Sequence, residues 1–235
     1  MGAGTWPKGH RMRSNSSDAV SKLGGICGVL TGLLFIATFA VGYNLPDSPS
    51  RADSTLAGFD SLRASFLAAD VFLGLVVVFA IPFYTALRSS FNGKDDLLIG
   101  TATLFSIVGF VVTATVVIGE SITLDTLSAP YAAGGASRNA AVVVAQAVIG
   151  FGAVAIFGLL VLFAGVAVYG FVAIKGRRFP RWLGFAGILG ALLSLGTPVP
   201  VIGTFLFVVA FVLLLLWIFA TSAYLWRPTI GKTMR

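Results

Sequence analysis

The chain has almost none of the residues that proteins use to hold metals and redox cofactors. It contains one histidine, His10, and one cysteine, Cys27. Histidine-ligated haem and histidine-based zinc sites therefore lack their ligands, and thiol–disulfide exchange within the chain lacks a second thiol. No GxxxxGK[ST] phosphate loop occurs. We predict no metal and no cofactor, and no residue is assigned a catalytic role.

Charge is also scarce. Charged residues make up 11% of the 235-residue chain and apolar residues 57%, whereas soluble domains carry roughly a quarter charged residues. Apolar runs of about 18 residues or more can cross a bilayer as helices, in which every backbone polar group has an internal partner. Six apolar stretches separated by loops predict an all-α, polytopic transmembrane bundle of six helices. The predicted spans are 22–43, 63–87, 97–119, 140–171, 182–196 and 199–226.

The few charges alternate in sign from loop to loop. Of the 16 lysines and arginines, only Arg51, Arg63 and Arg138 fall on one side of the predicted spans. Short loops rich in basic residues stay in the cytoplasm, so we predict an inner-membrane protein with both termini cytoplasmic. The basic residues responsible for the net charge of +7 lie beside apolar segments, as expected of residues that set membrane topology. We therefore predict membrane lipids as partners, and no nucleic acid.

The ends of the chain differ from the apolar middle. Residues 1–21 are polar, basic and rich in glycine and serine, which predicts a disordered cytoplasmic tail. Residues 22–227 form the predicted six-helix transmembrane domain, and residues 228–235 a short cytoplasmic tail.

Small residues recur at helical spacing in two of the predicted spans. The two stripes are Gly24, Gly28 and Gly32 in the first span, and Gly184, Gly187, Ala191 and Ser194 in the fifth. Small side chains let helix backbones approach closely inside a membrane. We interpret the stripes first as tight packing within one chain. The alternative is an interface with a second copy or with a membrane partner protein.

Polar residues inside or beside apolar spans are the best functional candidates, because each costs free energy in lipid. Asp70, Glu120 and Gln146 are predicted near the outer leaflet, where Arg63 and Arg138 lie close to the same level. Two nearby carboxylates could act as acid and base, bind a cation or pass a proton. The simpler interpretation, which we favour, is an ion pair between Asp70 and an arginine, with Glu120 solvated at the interface.

Three segments resemble a known family. They are FYTALR at 83–88, GVAVYGFVAIKG at 165–176 and RRFPRWLGFAGILGALLSL at 177–195. Together they resemble a broad family of small bacterial multi-helix membrane proteins that is described only as a domain of unknown function. The resemblance covers residues 23–227. It implies a six-helix inner-membrane bundle and no established catalytic residues.

Three classes of function stay open on the sequence. The first, which we favour, is a non-catalytic accessory or scaffold protein that acts through membrane partners. The second is a transporter or channel for a small solute, ion or lipid that uses the outer polar cluster. The third, which we favour least, is a lipid-modifying enzyme with its site at the outer face.

Overall fold

The structure, a computed structural model, describes residues 9–42, 51–91, 95–150, 152–176, 179–197, 199 and 201–226. Every regular element in these ranges is an α-helix, which confirms that the fold is all-α; the count of six spans and the side of the termini stay predictions. The seven helices are α1 (Gly9–Gly42), α2 (Arg51–Ser90), α3 (Asp96–Ala132), α4 (Gly135–Gly150), α5 (Gly152–Lys175), α6 (Arg181–Ser194) and α7 (Gly203–Trp226).

Five stretches of the described residues are long and apolar enough to cross a membrane. They are Asp18–Val41, Ser61–Ser90, Asp96–Ala132, Gly135–Lys175 and Gly203–Trp226. Helix α6 is apolar but has 14 residues, about 21 Å at ~1.5 Å per residue, which is shorter than the ~30 Å hydrocarbon layer. A sixth crossing by α6 stays a prediction.

Two helices are much longer than a membrane requires. Helix α2 has 40 residues and α3 has 37, so they are about 60 Å and 55 Å long. Their first and last parts, residues 51–62 and 120–132, are predicted above as loops, and that prediction is wrong. Both parts are helical because their apolar side chains pack into a second core. Helix α1 also begins early, at Gly9, within the predicted tail.

The second core defines a separate part of the molecule, which we call the distal layer: residues 51–66, 119–132 and 135–150. Its buried residues are Ala52, Leu56, Phe59, Leu124, Ala141 and Ala145, with Phe66, Tyr131 and Ile149 partly buried against them. The predicted fourth span, 140–171, takes in parts of both α4 and α5. Helix α4 belongs to the distal layer, and α5 belongs to the main bundle.

The main bundle has a larger core that helices α1, α2, α3, α5, α6 and α7 share. Its fully buried large side chains include Tyr84, Tyr169, Phe35, Phe110 and Phe163. Three rings surround Phe35 and Phe39, with centroid separations from 4.2 Å to 5.9 Å for the pairs Phe35–Phe110, Phe35–Phe211, Phe39–Phe207 and Phe39–Phe211. Aromatic burial of this kind joins α1, α3 and α7 near the middle of the bundle.

Glycines bring the bundle helices into backbone contact. A Cβ added to Gly109 on α3 would lie 2.5 Å from the Leu162 nitrogen and 2.6 Å from the Gly158 carbonyl oxygen on α5. The glycines of the two predicted small-residue stripes also lie against other helices of the chain. Gly28 faces Phe83 and Ser222 of the same chain, and Gly32, Gly184 and Gly187 likewise face the chain's own helices.

Candidate functional site

Asp70 lies where the bundle meets the distal layer. Its carboxylate is half-buried and accepts a hydrogen bond from Ser121 Oγ at 3.0 Å. A charge-assisted hydrogen bond of this kind is stronger than one between neutral groups. The contact links the middle of α2 to α3, just where α3 leaves the bundle.

Arg63 does not pair with Asp70. About two turns further toward the distal end, Arg63 Nε contacts Asp125 Oδ1 at 3.0 Å and Arg63 Nη2 donates to Asp125 Oδ2 at 3.2 Å. Both side chains are partly exposed, at 56% and 39%. The two-point geometry sets the register of α2 against α3, although exposed pairs add only about 0–1 kcal/mol.

Arg138 forms a second ion pair of the distal layer, with Asp53. Its Nη2 donates to Asp53 Oδ1 at 3.1 Å and to Tyr131 Oη at 2.9 Å, and Tyr131 Oη donates to the same carboxylate oxygen at 3.1 Å. The guanidinium carbon lies 4.7 Å from the centroid of the Tyr131 ring. One residue from each of α2, α3 and α4 thus meets at a single point.

This triad changes the acidity of its carboxyl group. The hydrogen bond from Arg138 and then that from Tyr131 hold the pKa of Asp53 below its usual value, because both bonds stabilise the carboxylate form. Asp53 therefore remains ionised at neutral pH, as its pairing with Arg138 requires.

The remaining two candidates are on α4 and α3. Gln146 is exposed on the outward face of α4, and Glu120, half-buried, directly precedes Ser121 on α3. The five predicted residues are thus distributed over the distal layer and its border. Asp70, Arg63 and Arg138 contact three different partners, Ser121, Asp125 and Asp53, and only Asp53 and Asp125 carry a charge that sequence could have flagged.

A shallow open groove runs along the outside of the distal layer. It is lined by Asp53, Gly135, Arg138, Asn139, Val142 and Val143. The lining of the groove thus combines the Arg138–Asp53 ion pair with the carboxamide of Asn139 and the apolar side chains of Val142 and Val143. Within the described residues, no three His, Cys, Asp or Glu side chains lie close enough together to hold a metal ion.

A second polar group, not predicted from the sequence, lies inside the main bundle. Tyr169 Oη and Thr103 Oγ1 are 2.6 Å apart and share a hydrogen bond that either hydroxyl can donate. Thr103 Oγ1 also lies 2.7 Å from the Ile99 carbonyl oxygen, and Tyr169 Oη lies 3.5 Å from the Tyr84 carbonyl oxygen. The rings of Tyr84 and Tyr169 stack at 6.0 Å. The sequence spacing of Tyr84, Thr103 and Tyr169 does not predict their contact, because the three residues lie on three different helices, α2, α3 and α5.

Three buried polar atoms of the bundle have no hydrogen-bond partner in the described part of the chain: Tyr84 Oη, Ser106 Oγ and Trp217 Nε1. Ser106 is the polar side chain next to the Tyr84 hydroxyl, but the two oxygens do not meet hydrogen-bond geometry. An unpaired buried hydroxyl costs about 1–3 kcal/mol. These atoms therefore reduce the stability of the bundle rather than add to it.

Comparison with known proteins gives a family but no activity. Neither the curated proteins nor the solved structures compared with the chain give a match. The family model for the domain of unknown function DUF4386 matches residues 24–227, almost the whole range over which the sequence resemblance is seen. The matched range takes in both the main bundle and the distal layer. The chain is thus a helical, membrane-type protein that belongs to the DUF4386 family of unknown function.

Proposed function

We propose that the chain is a six-span protein of the cell membrane, with both termini in the cytoplasm, and that it acts as a non-catalytic accessory or scaffold protein. In this proposal the distal layer stands on the outer side and provides the contact with a membrane partner. The layer is built from the ends of α2 and α3 together with α4, which gives it a fixed position on the bundle.

The observation that carries the proposal is the separate pairing of the candidate charges. Asp70 contacts Ser121, Arg63 contacts Asp125 and Arg138 contacts Asp53. A transport path or an acid–base pair needs polar groups that converge on one cavity. Pairs that each join two neighbouring helices are instead suited to holding the distal layer in shape.

Substitutions at the Asp70–Ser121 contact test the proposed role. In Asp70→Asn, the amide oxygen still accepts from Ser121, so we expect a melting temperature in detergent close to that of the parent chain. Ser121→Ala removes the donor and should lower the melting temperature. Proteoliposomes with the parent chain or Asp70→Asn should dissipate H⁺ and Na⁺ gradients no faster than protein-free liposomes. Flux through the parent chain that Asp70→Asn abolishes would establish transport and refute the scaffold proposal.

Single cysteines test the proposed sides of the membrane. Ala129, in the distal layer, and Ser89, at the other end of α2, are both exposed, whereas the native Cys27 is buried. In intact cells a membrane-impermeant maleimide should label Ala129→Cys but not Ser89→Cys, which should react only after permeabilisation. The reverse pattern would invert the proposed topology.

A further inference from the structure

The connection between α5 and α6 carries positive charge that its half of the chain does not neutralise. No aspartate or glutamate follows Asp125 in the sequence, whereas eight lysines and arginines do. Four of these eight lie within seven residues, at positions 175, 177, 178 and 181. An acidic partner for this basic segment has to come from the first part of the chain or from outside the protein.

The described part of the chain offers no such partner. Three other arginines each pair with an aspartate of another helix, in the pairs Arg63–Asp125, Arg88–Asp96 and Arg138–Asp53. Lys175 and Arg181 are both exposed, and neither forms an ion pair with a carboxylate of the described residues. The Lys175 ammonium nitrogen lies instead 4.0 Å from the centroid of the Phe171 ring. Two exposed cations are thus accessible to an anion.

Packing contacts hold the backbone on both sides of this connection. Where α5 and α6 cross, a Cβ added to Gly184 would lie 2.5 Å from the Gly170 carbonyl oxygen. In the connection itself, Phe179 is 4% exposed, and its ring centroid lies 5.1 Å from that of Phe91 and 6.1 Å from that of Tyr224. The two cations are therefore attached to adjoining helix ends whose positions on the bundle are set.

The surroundings of the two cations are typical of the lipid headgroup layer. Lys175 ends the apolar helix α5, and Arg181 begins the apolar helix α6. Within about one turn of them, Phe171, Trp182 and Phe185 are 46%, 53% and 60% exposed. Exposed tryptophan at the end of an apolar helix is typical of the headgroup layer, where phospholipid phosphates are the nearest anions. A topology signal needs positive charge on one side, but it does not need that charge on a packed hairpin.

We propose that Lys175 and Arg181 bind the phosphate group of an anionic phospholipid whose acyl chains lie against Phe171, Trp182 and Phe185. A guanidinium group binds phosphate through two parallel hydrogen bonds, and an ammonium group adds a point charge. Basic sites between membrane helices bind anionic headgroups by the same chemistry. The inference goes beyond the scaffold function and does not depend on it. The proposed topology only names the leaflet, which is then the cytoplasmic one.

Addition of lipid to the purified chain in a nonionic detergent tests for the site. Phosphatidylglycerol should raise the melting temperature, because a ligand of the folded state stabilises it by mass action. Phosphatidylcholine with the same acyl chains should need at least about fivefold more lipid for the same shift, since its trimethylammonium group is repelled by the two cations. Glycerol 3-phosphate, which lacks acyl chains, should give no shift. Equal shifts with both lipids, or a full shift with glycerol 3-phosphate, would overturn the proposal.

Removal of a single charge tests the residues. Arg181→Gln should raise the phosphatidylglycerol concentration at half-maximal shift about fivefold, and Arg181→Lys should raise it less. Lys22→Gln is the matched control, because Lys22 is exposed at the same end of the bundle but on α1, next to Ser21, whose hydroxyl donates to the Leu225 carbonyl oxygen at 2.8 Å. Without lipid, all three variants should melt as the parent chain does, since both side chains are exposed. Binding weakened as much by Lys22→Gln as by Arg181→Gln, or unchanged in both, would refute the site, whatever the flux and labelling experiments show.

Discussion

The main bundle and the distal layer use polar side chains in different ways. In the bundle, hydroxyls mostly return to their own helix: Thr31 donates to the Cys27 carbonyl at 2.8 Å, and Thr221 donates to the Trp217 carbonyl at 2.7 Å. In the distal layer, hydroxyls such as those of Thr123 and Thr126 also return to their own helix, but charged side chains reach across helices, as in the pair of Arg63 with Asp125. The two regions share α2 and α3, so the difference lies in the types of polar residue that each region contains.

The residue types explain this difference. A hydroxyl inside a helix can donate to the carbonyl four residues back, which satisfies it even in lipid, whereas a carboxylate and a guanidinium pair with each other across helices. Helix contacts in the bundle depend on close packing, as at Gly109 and Gly158. Among the described residues of the distal layer, six apolar side chains are buried, and the ion pairs are partly exposed. The shape of the distal layer therefore depends on a few large buried side chains and on ion pairs that favour one packing of its helices.

The largest expected effect tests whether the distal layer folds as a unit of its own. Phe59 is 1% exposed and stacks on Phe66 at 5.4 Å. Phe59→Ala should cost about 3–5 kcal/mol, which exceeds what so small a core can lose. We expect hydrogen exchange of residues 51–62 and 120–132 to rise sharply, while the bundle segments of α5 and α7 stay protected. Uniform loss of protection in both regions would show that they unfold together.

Backbone contact in the bundle gives the next largest effect. Gly109→Ala puts a Cβ against the α5 backbone, and overpacking of this kind costs about 1–3 kcal/mol. Gly119→Ala on the same helix is the control, because nothing lies within 4 Å of its added Cβ. That control should be neutral or more stable by up to about 1 kcal/mol. Unfolding in detergent should separate the two variants, and equal melting temperatures would contradict the close α3–α5 contact.

The two stacked tyrosines predict a smaller but opposite pair of effects. Tyr169→Phe removes the hydrogen bond to Thr103 and should cost about 0.5–1.5 kcal/mol. Tyr84→Phe removes a buried hydroxyl that has no partner in the described part of the chain, so it should leave the free energy of unfolding unchanged or raise it. A loss of stability in Tyr84→Phe equal to that in Tyr169→Phe would show that the Tyr84 hydroxyl is bonded.

The smallest effect is a pH dependence of the distal layer. The pKa of Asp53 is held below its usual value, near 3.9, by Arg138 and Tyr131. A depressed carboxyl pKa contributes stability that is present above the unfolded pKa and is lost as the pH falls through the folded pKa. The parent chain should therefore melt above Asp53→Asn at neutral pH, and the gap should close below about pH 4. A gap that widens in acid would refute the pairing.

Much of the bundle is predictable from the sequence, but the helix ends are not. Apolar runs show where each helix crosses the membrane, because lipid contact requires them. The distal parts of α2 and α3 carry charges and Pro130, so they read as loops. A weaker signal was present: Ala52, Leu56 and Phe59 are spaced by four and three residues, which is typical of one buried helix face.

The residues of the candidate site were likewise predictable only in part. The choice of Asp70, Arg63 and Arg138 as costly polar residues could be made from their positions beside apolar runs. Their partners could not. Ser121 has no charge, and Asp125 and Asp53 lie in stretches predicted as loops, so the pairing depends on how far α2 and α3 extend.

The sequence by itself determined that this protein is helical and of membrane type, because burying so many apolar side chains in lipid leaves no other backbone arrangement. Only the tertiary structure decided that α2, α3 and α4 form a second core, that both glycine stripes are covered by the chain's own helices, and that Asp70, Arg63 and Arg138 each contact a different residue. Those outcomes depend on which helix faces meet, and the free energy of such contacts comes from residues far apart in the chain.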